Sequence, residues 1–224
     1  MPWPKACSKV RVARCGGKAE PMAAQSTVNL DYPPGATPLD ADELASLIPG
    51  HLTTQAELNE WEQLNIGEGD KWARKQRKDI LSETFLRQLH RQMFGETWKW
   101  AGEFRKSDKN IGVDWLHIGV ELKKLLDDVR YQIDHATFPA DEIAIRFHHR
   151  LVAIHAFPNG NGRHARMMAD LLVEKLGHPR FSWGSRSLAE GNLTDATPIR
   201  RNYITALQAA DARDMAPLLA FARS

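Results

Sequence analysis

Two helical patterns that flank a short polar loop are the strongest constraint on how this chain folds. Over residues 139–154 and again over residues 163–176, apolar side chains recur about every four positions, as on one buried face of an α-helix. Between them, residues 157–162 contain one proline and two glycines. The sequence therefore predicts two buried helices that are joined directly by this loop. Their stripes consist of Ile143, Phe147, Leu151 and Ile154 before the loop and of Met168, Leu172 and Leu176 after it.

Helical spacing also predominates in the rest of the chain, and several segments begin with residues that cap helices. The one region with the pattern of strands is 106–117, where polar turn residues and β-branched neighbours predict a small β-hairpin. The predicted fold class is therefore all-α, a helical bundle with one hairpin. The predicted N-terminal caps are Thr37 or Asp40 for a short first helix, Thr53 or Thr54 for the second, and Ser82 for the third.

The beginning of the chain differs from the rest in composition. The first 22 residues contain both cysteines, several prolines and five basic residues, without a helical period or the apolar core of a secretion signal. We predict a disordered leader over residues 1–30, in which Met22 is an alternative start, and the alternative of an organellar transit peptide is disfavoured by the low serine content. Residues 31–52 then predict a linker with a short helix, and residues 53–224 the main domain.

Charge, cysteine content and hydropathy exclude several classes of protein. Lysine and arginine number 30 against 28 acidic residues, so the formal net charge of +2 gives no reason to expect a nucleic-acid-binding surface. Cys7 and Cys15 have no nearby histidine pair and suit neither a zinc site nor a disulfide framework. No apolar run approaches the roughly 20 residues that span a bilayer. We therefore expect a cytoplasmic protein that binds neither nucleic acid nor a membrane directly.

The loop itself has the chemistry of a phosphate site. Gly160 and Gly162 tolerate positive φ angles and allow a ligand to approach the backbone closely. The loop leads into a helix N-terminus, where unpaired N–H groups and the helix dipole favour an anion. Arg163 and Arg166 lie three residues apart, so they share a helix face, and each guanidinium can grip phosphate oxygens in a fork. Two such side chains predict binding of a polyphosphate tail.

His155 stands at the other end of the loop. An imidazole with an ordinary pKa of about 6.5 is suited to take a proton from an attacking hydroxyl. Each part has a plainer explanation on its own, because a histidine after an apolar helix is often structural and Gly-Asn-Gly is often only a turn. Their combination at fixed spacing favours a phosphate cradle that faces a general base.

The spacing resembles the signature of the Fic (filamentation) family, HxFx[DE]GNGRxxR. The segment WAGEFR, residues 100–105, is similar to a stretch that precedes the family's flap, which would here be residues 106–117. The likeness runs from about residue 41 to residue 221. The segments GATPLD, ELNEWEQLNI and PNGNGRHARMMADLL resemble the Fic branch called mobile mystery protein B. The matching motif positions are His155, Phe157, Gly160, Asn161, Gly162, Arg163 and Arg166.

This resemblance implies an all-α Fic core that transfers a nucleoside monophosphate, usually AMP from ATP, to a Ser, Thr or Tyr hydroxyl of a target protein. The implied cofactors are ATP as co-substrate and Mg²⁺ or Mn²⁺, and the flap would clamp the target segment by strand addition. The implied roles are His155 as catalytic base, Phe157 as an inward-packing anchor, Gly160, Asn161 and Gly162 at the α and β phosphates, and Arg163 and Arg166 at the β and γ phosphates.

Asn159 departs from the family's pattern, which has Asp or Glu at this position to hold the Mg²⁺. A neutral amide oxygen can still ligate Mg²⁺ beside waters and phosphate oxygens, so Asn159 is the candidate metal ligand. The substitution leaves open weaker activity, a different metal or an altered reaction. Some relatives move other phosphate-containing groups or act as kinases.

A second family element is an inhibitory helix with the pattern [ST]xxxE[GN], whose glutamate pairs with the second motif arginine and keeps the γ phosphate out. Thr53 and Glu57 have this spacing, and Leu58 departs from the last position. Glu57 is therefore the candidate inhibitory residue, with Arg166 as its partner. The alternative is that Glu57 is an ordinary carboxylate of a helix start.

These observations predict a protein adenylyltransferase. The alternatives are a noncatalytic Fic scaffold that senses nucleotide or binds a partner protein, and a Fic variant that transfers another phosphate-containing group. Resemblance to the mobile mystery protein B branch also implies a helix-turn-helix companion protein. Because Fic domains often pair, a homodimer is expected as well.

Overall fold

The computed structural model describes residues 37–185, 193 and 197–224. The predicted leader over residues 1–30 lies outside this part of the chain, as does the linker up to residue 36. Within the described residues the fold is helical throughout, which confirms the predicted fold class. The helices are α1 (Ala41–Leu44), α2 (Gln55–Arg74), α3 (Glu83–Phe94), α4 (Ile118–Asp134), α5 (Ala140–Ile154), α6 (Asn161–Lys175), α7 (Pro198–Asp211) and α8 (Ala216–Arg223).

The helices begin at the predicted caps. The Thr54 hydroxyl accepts the Glu57 N–H at 3.2 Å, and the Ser82 hydroxyl accepts the Phe85 N–H at 3.2 Å. Asp40 precedes α1, which is a short helix of four residues, as predicted. Each of these side-chain bonds satisfies a backbone donor that the first turn of a helix leaves unpaired.

α5 and α6 form the centre of the bundle, and the loop between them joins their ends. The predicted stripes are buried except at Leu176, which follows α6 and is partly buried. Phe147 and Ile154 of α5 and Met168 of α6 have no measurable exposure. α2 and α3 pack together beside α6, while α4 and α8 pack against α5. The loop is therefore fixed by the most deeply buried pair of helices. Across the described residues, no helix combines the length and the apolar character needed to cross a membrane.

The predicted β-hairpin over residues 106–117 is not formed. No residue between 106 and 117 lies in a strand, and the segment, which we call the flap loop, ends in a 3₁₀ turn at Trp115–His117. The reason lies in the guanidinium of Arg105, whose Nη1 donates to the Ser107 carbonyl at 2.8 Å and whose Nη2 donates to the Val113 carbonyl. A buried side chain thus takes the carbonyl groups that a strand ladder would have paired.

Candidate active site

His155 is the residue at which the chain turns from α5 into the loop. Its backbone has φ 53° and ψ 57°, the left-handed conformation, and its N–H still donates to the Leu151 carbonyl at 3.2 Å. A side chain other than glycine is strained in this conformation, and such strain is concentrated at functional sites. The side chain is buried. The strained backbone therefore supports a functional role for His155, the residue that the sequence predicts to be the base.

Asn161 holds the loop closed. Its Oδ1 accepts the Phe157 N–H at 2.9 Å, and its Nδ2 donates to the Phe157 carbonyl at 2.7 Å. Phe157 packs inward, as the resemblance implies, and both residues are buried. The amide of Asn161 is thus used inside the loop rather than facing a ligand. Any contact between Asn161 and phosphate therefore falls to its backbone N–H.

His90, a buried residue of α3, contacts the loop between α5 and α6. Sequence reasoning did not identify it. Its Nδ1 accepts the Gly102 N–H at 3.0 Å, so the proton of the neutral ring lies on Nε2, which is 3.1 Å from the Asn159 carbonyl. The ring stacks on Phe157 at 3.8 Å, and complete burial lowers the pKa of His90 well below its ordinary value. A polar residue on the buried face of α3, next to Leu86 and Leu89, was the available signal.

The start of α6 is shaped for a phosphate. Gly160 has φ 78°, and a Cβ there would lie 2.7 Å from the ring of Phe94, so only glycine fits. The first hydrogen bond of the helix joins the His164 N–H to the Gly160 carbonyl at 2.9 Å. The N–H groups of residues 161–163 precede it and point out of the helix end. A Cβ at Gly162 would meet no atom closer than 3.7 Å, so this side of the helix end is open to a ligand.

Arg163 is held by a carboxylate that the sequence analysis passed over. Its Nη1 pairs with Glu62 Oε2, and its Nη2 lies 3.4 Å from Asn159 Oδ1. Glu62 is a buried residue of α2 and also accepts the indole N–H of Trp98 at 2.7 Å. Glu62 follows Leu58 by four positions, so a charged residue on the apolar face of α2 was the signal for it.

Arg166 lies on the same side of α6 in a different setting. Its guanidinium sits 5.3 Å from the ring centroid of Tyr203 of α7. The Tyr203 hydroxyl is 3.1 Å from His148 Nε2, and burial, followed by the positive charge of Arg166, lowers the pKa of His148 to about 3. Both arginines thus lie on the same side of α6, but among the described residues Arg163 alone of the two is paired with a buried carboxylate.

Glu57 does not contact Arg166. Its carboxylate accepts the backbone N–H groups of Thr53 at 2.8 Å and Thr54 at 3.1 Å, and also the Thr53 hydroxyl at 3.1 Å. The hydrogen bond from the Thr53 backbone is the main cause of a lowered pKa at Glu57, which is exposed. The predicted pair between Glu57 and Arg166 is therefore not formed, because Glu57 is engaged in the capping box of α2. The carboxylate that α2 brings to the motif is Glu62.

Asn159 is not arranged as a magnesium ligand. Its Oδ1 accepts the Gly160 N–H at 2.6 Å and faces the guanidinium of Arg163, while its Nδ2 donates to the Thr37 carbonyl at 3.2 Å. Among the described residues, no three or more histidine, cysteine or acidic side chains are grouped so that they could hold a metal ion. In this arrangement the residues do not fit a Mg²⁺ held by the protein. The assignment of Asn159 to the metal stays a prediction that this geometry does not support.

The side of the site opposite the phosphates is formed by the imidazole of His155 and the flap loop. His155 Nε2 lies 3.0 Å from the hydroxyl of Thr37, a buried residue that precedes α1. Arg105, which sequence reasoning assigned no role, donates from Nε to the His155 carbonyl at 2.7 Å. A Cβ at Gly112 would lie 2.9 Å from the Cβ of His155, so the flap loop is in close contact with the base. Burial, followed by the positive charge of Arg105, lowers the pKa of His155 to about 4.

These parts make up one site with two sides. We call the start of α6 with Arg163 and Arg166 the phosphate side, and His155 with Thr37 and the flap loop the hydroxyl side. A neutral imidazole within hydrogen-bonding distance of a hydroxyl can act as a general base. A helix N-terminus with two guanidinium groups can bind and stabilise a polyphosphate leaving group. The geometry is therefore suited to transfer from a phosphate compound to a hydroxyl.

Comparison with known proteins gives a relative whose name describes such chemistry. The chain is 30% identical over 139 residues to protein adenylyltransferase fic-1 of Caenorhabditis briggsae. The alignment covers 57% of this chain but only 27% of the relative. The chain thus corresponds to a minor part of that protein's length.

Solved structures share the fold. The Fic domain of Bep8 from Bartonella sp. 1-1C aligns with a TM-score of 0.60 at 15% identity, over 79% of this chain and 89% of that one. A Bartonella quintana Fic domain solved with bound ADP aligns with a TM-score of 0.57 at 20% identity, over 77% and 86%. Fic-1 of C. elegans aligns with a TM-score of 0.55 at 21% identity, over 72% and 46%.

The family model for the Fic/DOC family matches residues 80–173, the segment that includes α3, α4, α5, the loop and both arginines of α6. The narrower resemblance to the mobile mystery protein B branch stays a prediction. The family match, the shared helical fold and the loop between α5 and α6 agree that residues 80–173 are similar to the Fic/DOC family.

Proposed function

We propose that this protein is a protein adenylyltransferase, which transfers AMP from ATP to a hydroxyl group of a target protein. The observation that carries the proposal is the position of His155 Nε2, 3.0 Å from a hydroxyl oxygen and one loop away from the open N-terminus of α6. The name of the C. briggsae relative supports it. So do the solved Fic proteins with bound ADP and with bound AMPPNP, which show nucleotide binding in those relatives.

The residues divide the reaction between the two sides. His155 is neutral at pH 7, because burial lowers the pKa of its imidazole to about 4, and it can therefore accept the proton of the attacking hydroxyl. The hydroxyl oxygen then bonds to the α-phosphorus while the bond to the β-phosphate oxygen breaks. The N–H groups at the start of α6, together with Arg163 and Arg166, stabilise the negative charge of the departing pyrophosphate.

No step of this scheme passes through a metal held by the protein. Mg²⁺ usually keeps several waters and binds to phosphates through few protein ligands. A nucleotide can thus carry its own ion into the site. The loop carries Asn159 where a carboxylate is usual, and this observation favours the alternative of a noncatalytic nucleotide sensor.

Labelled nucleotide separates these functions. The protein is incubated with Mg²⁺ or Mn²⁺, a cytosolic lysate, and ATP labelled at either the α or the γ phosphate. We expect protein-bound label from the α position, and a loss of about 10²-fold or more in His155→Ala, as for removal of a general base. The matched control is His149→Ala, since His149 bonds to Asp211 outside the site and should leave the labelling unchanged.

Other patterns of labelling would replace the proposal. Label from the γ position alone would identify a kinase-like transfer. Nucleotide binding without any transfer of label would identify the noncatalytic sensor. Equal α-labelling in wild type and His155→Ala would show that the transferring group lies elsewhere.

A further inference from the structure

Arg166 reaches back towards the start of α6. Side chains of an α-helix lean towards its N-terminus, so residue 166 lies over residue 162, one turn earlier. A Cβ at Gly162 would lie 3.7 Å from Arg166 Nη1 and 3.8 Å from the hydroxyl oxygen of Tyr203. A guanidinium nitrogen and a phenol oxygen therefore lie together beside the helix end that is suited to phosphate.

The guanidinium of Arg166 is held without a carboxylate. It sits 5.3 Å from the ring centroid of Tyr203, and among the described residues no acidic side chain forms an ion pair with it. Arg163 differs, because Glu62 pairs with its Nη1. An aromatic face stabilises a cation without neutralising its charge. Arg166 therefore keeps its full positive charge beside the start of α6.

The cation–π contact does not require the hydroxyl of Tyr203. Phe94 has no hydroxyl, yet Arg163 lies over its ring in the same way, at 4.9 Å from the centroid. The Tyr203 hydroxyl lies 3.1 Å from His148 Nε2, and both side chains are buried. Burying two polar groups costs free energy, which their mutual hydrogen bond only offsets. Apolar side chains would fill the same space, so the pair needs a reason other than packing.

His148 is itself fixed by its surroundings. The ring of Trp183 lies 4.8 Å from the imidazole, measured between centroids. The indole N–H of Trp183 donates to Asp170 Oδ1 at 2.9 Å, which ties this ring to α6. Burial lowers the pKa of His148 to about 3, so the imidazole is neutral at pH 7 and does not repel Arg166. The imidazole is thus a fixed, uncharged hydrogen-bond partner for the phenol.

We propose that His148 and Tyr203 are positioning residues that make the site selective for nucleoside triphosphates over monophosphates. His148 fixes the Tyr203 hydroxyl, and Tyr203 holds the guanidinium of Arg166 beside the open start of α6. Arg166 there binds the phosphates beyond the α-phosphate, which a monophosphate lacks. The inference rests on the nucleotide site of the proposed function, because the triphosphate must lie at this end of α6. Both residues act through Arg166.

The test measures the Kd of ATP and the Kd of AMP by calorimetry on the full chain. Tyr203→Phe keeps the ring under Arg166 and removes the hydroxyl. We expect its Kd for ATP to rise about fivefold, as for one lost hydrogen bond, while its Kd for AMP stays unchanged. Unchanged binding of AMP also shows that the variant is folded. The matched control is Tyr131→Phe, since Tyr131 is exposed on α4 and should affect neither constant.

Variants of His148 test the preceding contact. His148→Leu removes the hydrogen bond to the phenol, so its Kd for ATP should also rise about fivefold. His148→Gln retains a side-chain amide that can bond to the phenol, and the rise should be smaller. If these variants and Tyr203→Phe weaken ATP and AMP equally, the two residues support the whole pocket instead of Arg166, and the inference is wrong.

A double-variant cycle distinguishes action through Arg166 from direct contact between Tyr203 and the nucleotide. Residues that act as one unit have non-additive effects. In the Arg166→Ala background, Tyr203→Phe should leave the Kd for ATP unchanged, because there is no guanidinium left to position. A loss of the same size in both backgrounds would show that Tyr203 contacts ATP itself and would overturn the inference.

The labelled-ATP assay keeps failure of this inference separate from failure of the proposed function. If wild type binds ATP and gives the expected cycle but transfers no label, the proposed function fails and the inference stands. If label from the α position is transferred while Tyr203→Phe leaves the Kd for ATP unchanged, only the inference fails. If wild type binds neither nucleotide, both fail.

Discussion

The two sides of the site are both covered by the protein's own side chains, but by different means. On the phosphate side, Glu62 comes from inside the long helix α2 and pairs its buried carboxylate with Arg163. On the hydroxyl side, Thr37 comes from an extended segment and covers His155 with a single uncharged hydrogen bond. A buried charge pair is costly to break, whereas one hydrogen bond contributes about 1 kcal/mol. A nucleotide must therefore compete with an ion pair for Arg163, whereas an acceptor hydroxyl must displace one hydrogen bond from His155.

The largest expected effect is on the free energy of unfolding. It tests whether Arg163, which pairs with Glu62, contributes more to stability than Arg166. Arg163→Ala leaves Glu62 as a buried, unpaired carboxylate, so the free energy of unfolding should fall by about 3 to 5 kcal/mol. Arg166→Ala removes a guanidinium that packs over Tyr203, so the loss should be about 1 kcal/mol. Urea unfolding of both variants measures the difference.

Equal losses of stability would contradict the assignment of Glu62 to Arg163 alone. The double variant Glu62→Gln with Arg163→Ala is the control. It should recover part of the stability lost in Arg163→Ala, because the unpaired charge is gone. Nucleotide binding should weaken in both single arginine variants, since both side chains face the start of α6.

The phosphate side could be predicted from the sequence because its parts are close together in the chain. Gly160, Gly162 and both arginines lie within residues 160–166, and the helical period places the two arginines on one face. Phe157 packs inward and Gly160 has a positive φ angle, as the pattern requires. The sequence did not show that the side-chain amide of Asn161 closes the loop by bonding to Phe157.

The hydroxyl side could not be predicted, because it is assembled from contacts between distant residues. Nothing in the local sequence around Thr37 shows that its hydroxyl reaches His155, or that Lys109 binds Asp40. The hairpin prediction over residues 106–117 was wrong for a local reason: the side chain of Arg105, just before the segment, takes its carbonyl groups. Glu57 had the spacing of an inhibitory residue, but spacing alone does not show that its own helix cap engages it.

A second, smaller effect is on the affinity for ATP, and it tests whether Glu62 competes with phosphate for Arg163. Glu62→Gln keeps an oxygen for the indole N–H of Trp98 but removes the negative charge that competes with phosphate for Arg163. Affinity for ATP should rise by about tenfold, equivalent to about 1.4 kcal/mol, measured by calorimetry. Glu60→Gln, an exposed neighbour on α2, is the matched control and should leave the affinity unchanged. A fall in affinity would show that Glu62 orients Arg163 for the nucleotide instead of competing with it.

The smallest expected effect is on the pH dependence of the free energy of unfolding. It compares two buried histidines, one on the hydroxyl side and one beside Arg166. The folded-state pKa is lowered to about 4 for His155 on the hydroxyl side and to about 3 for His148 beside Arg166. Below pH 6.5 the unfolded chain therefore binds protons that the folded chain does not, and stability falls as the pH falls. At pH 5.5 each histidine should account for about 1 kcal/mol of this loss, so His155→Gln and His148→Gln should each flatten the dependence measured by urea unfolding.

Asp170→Asn should make the loss of stability at acid pH steeper. Burial raises the pKa of Asp170 to about 6, so its protonation stabilises the folded state as the pH falls from 6 towards 4, and the variant lacks this contribution. If Asp170→Asn also flattened the curve, the pKa of Asp170 would not be raised in the folded state.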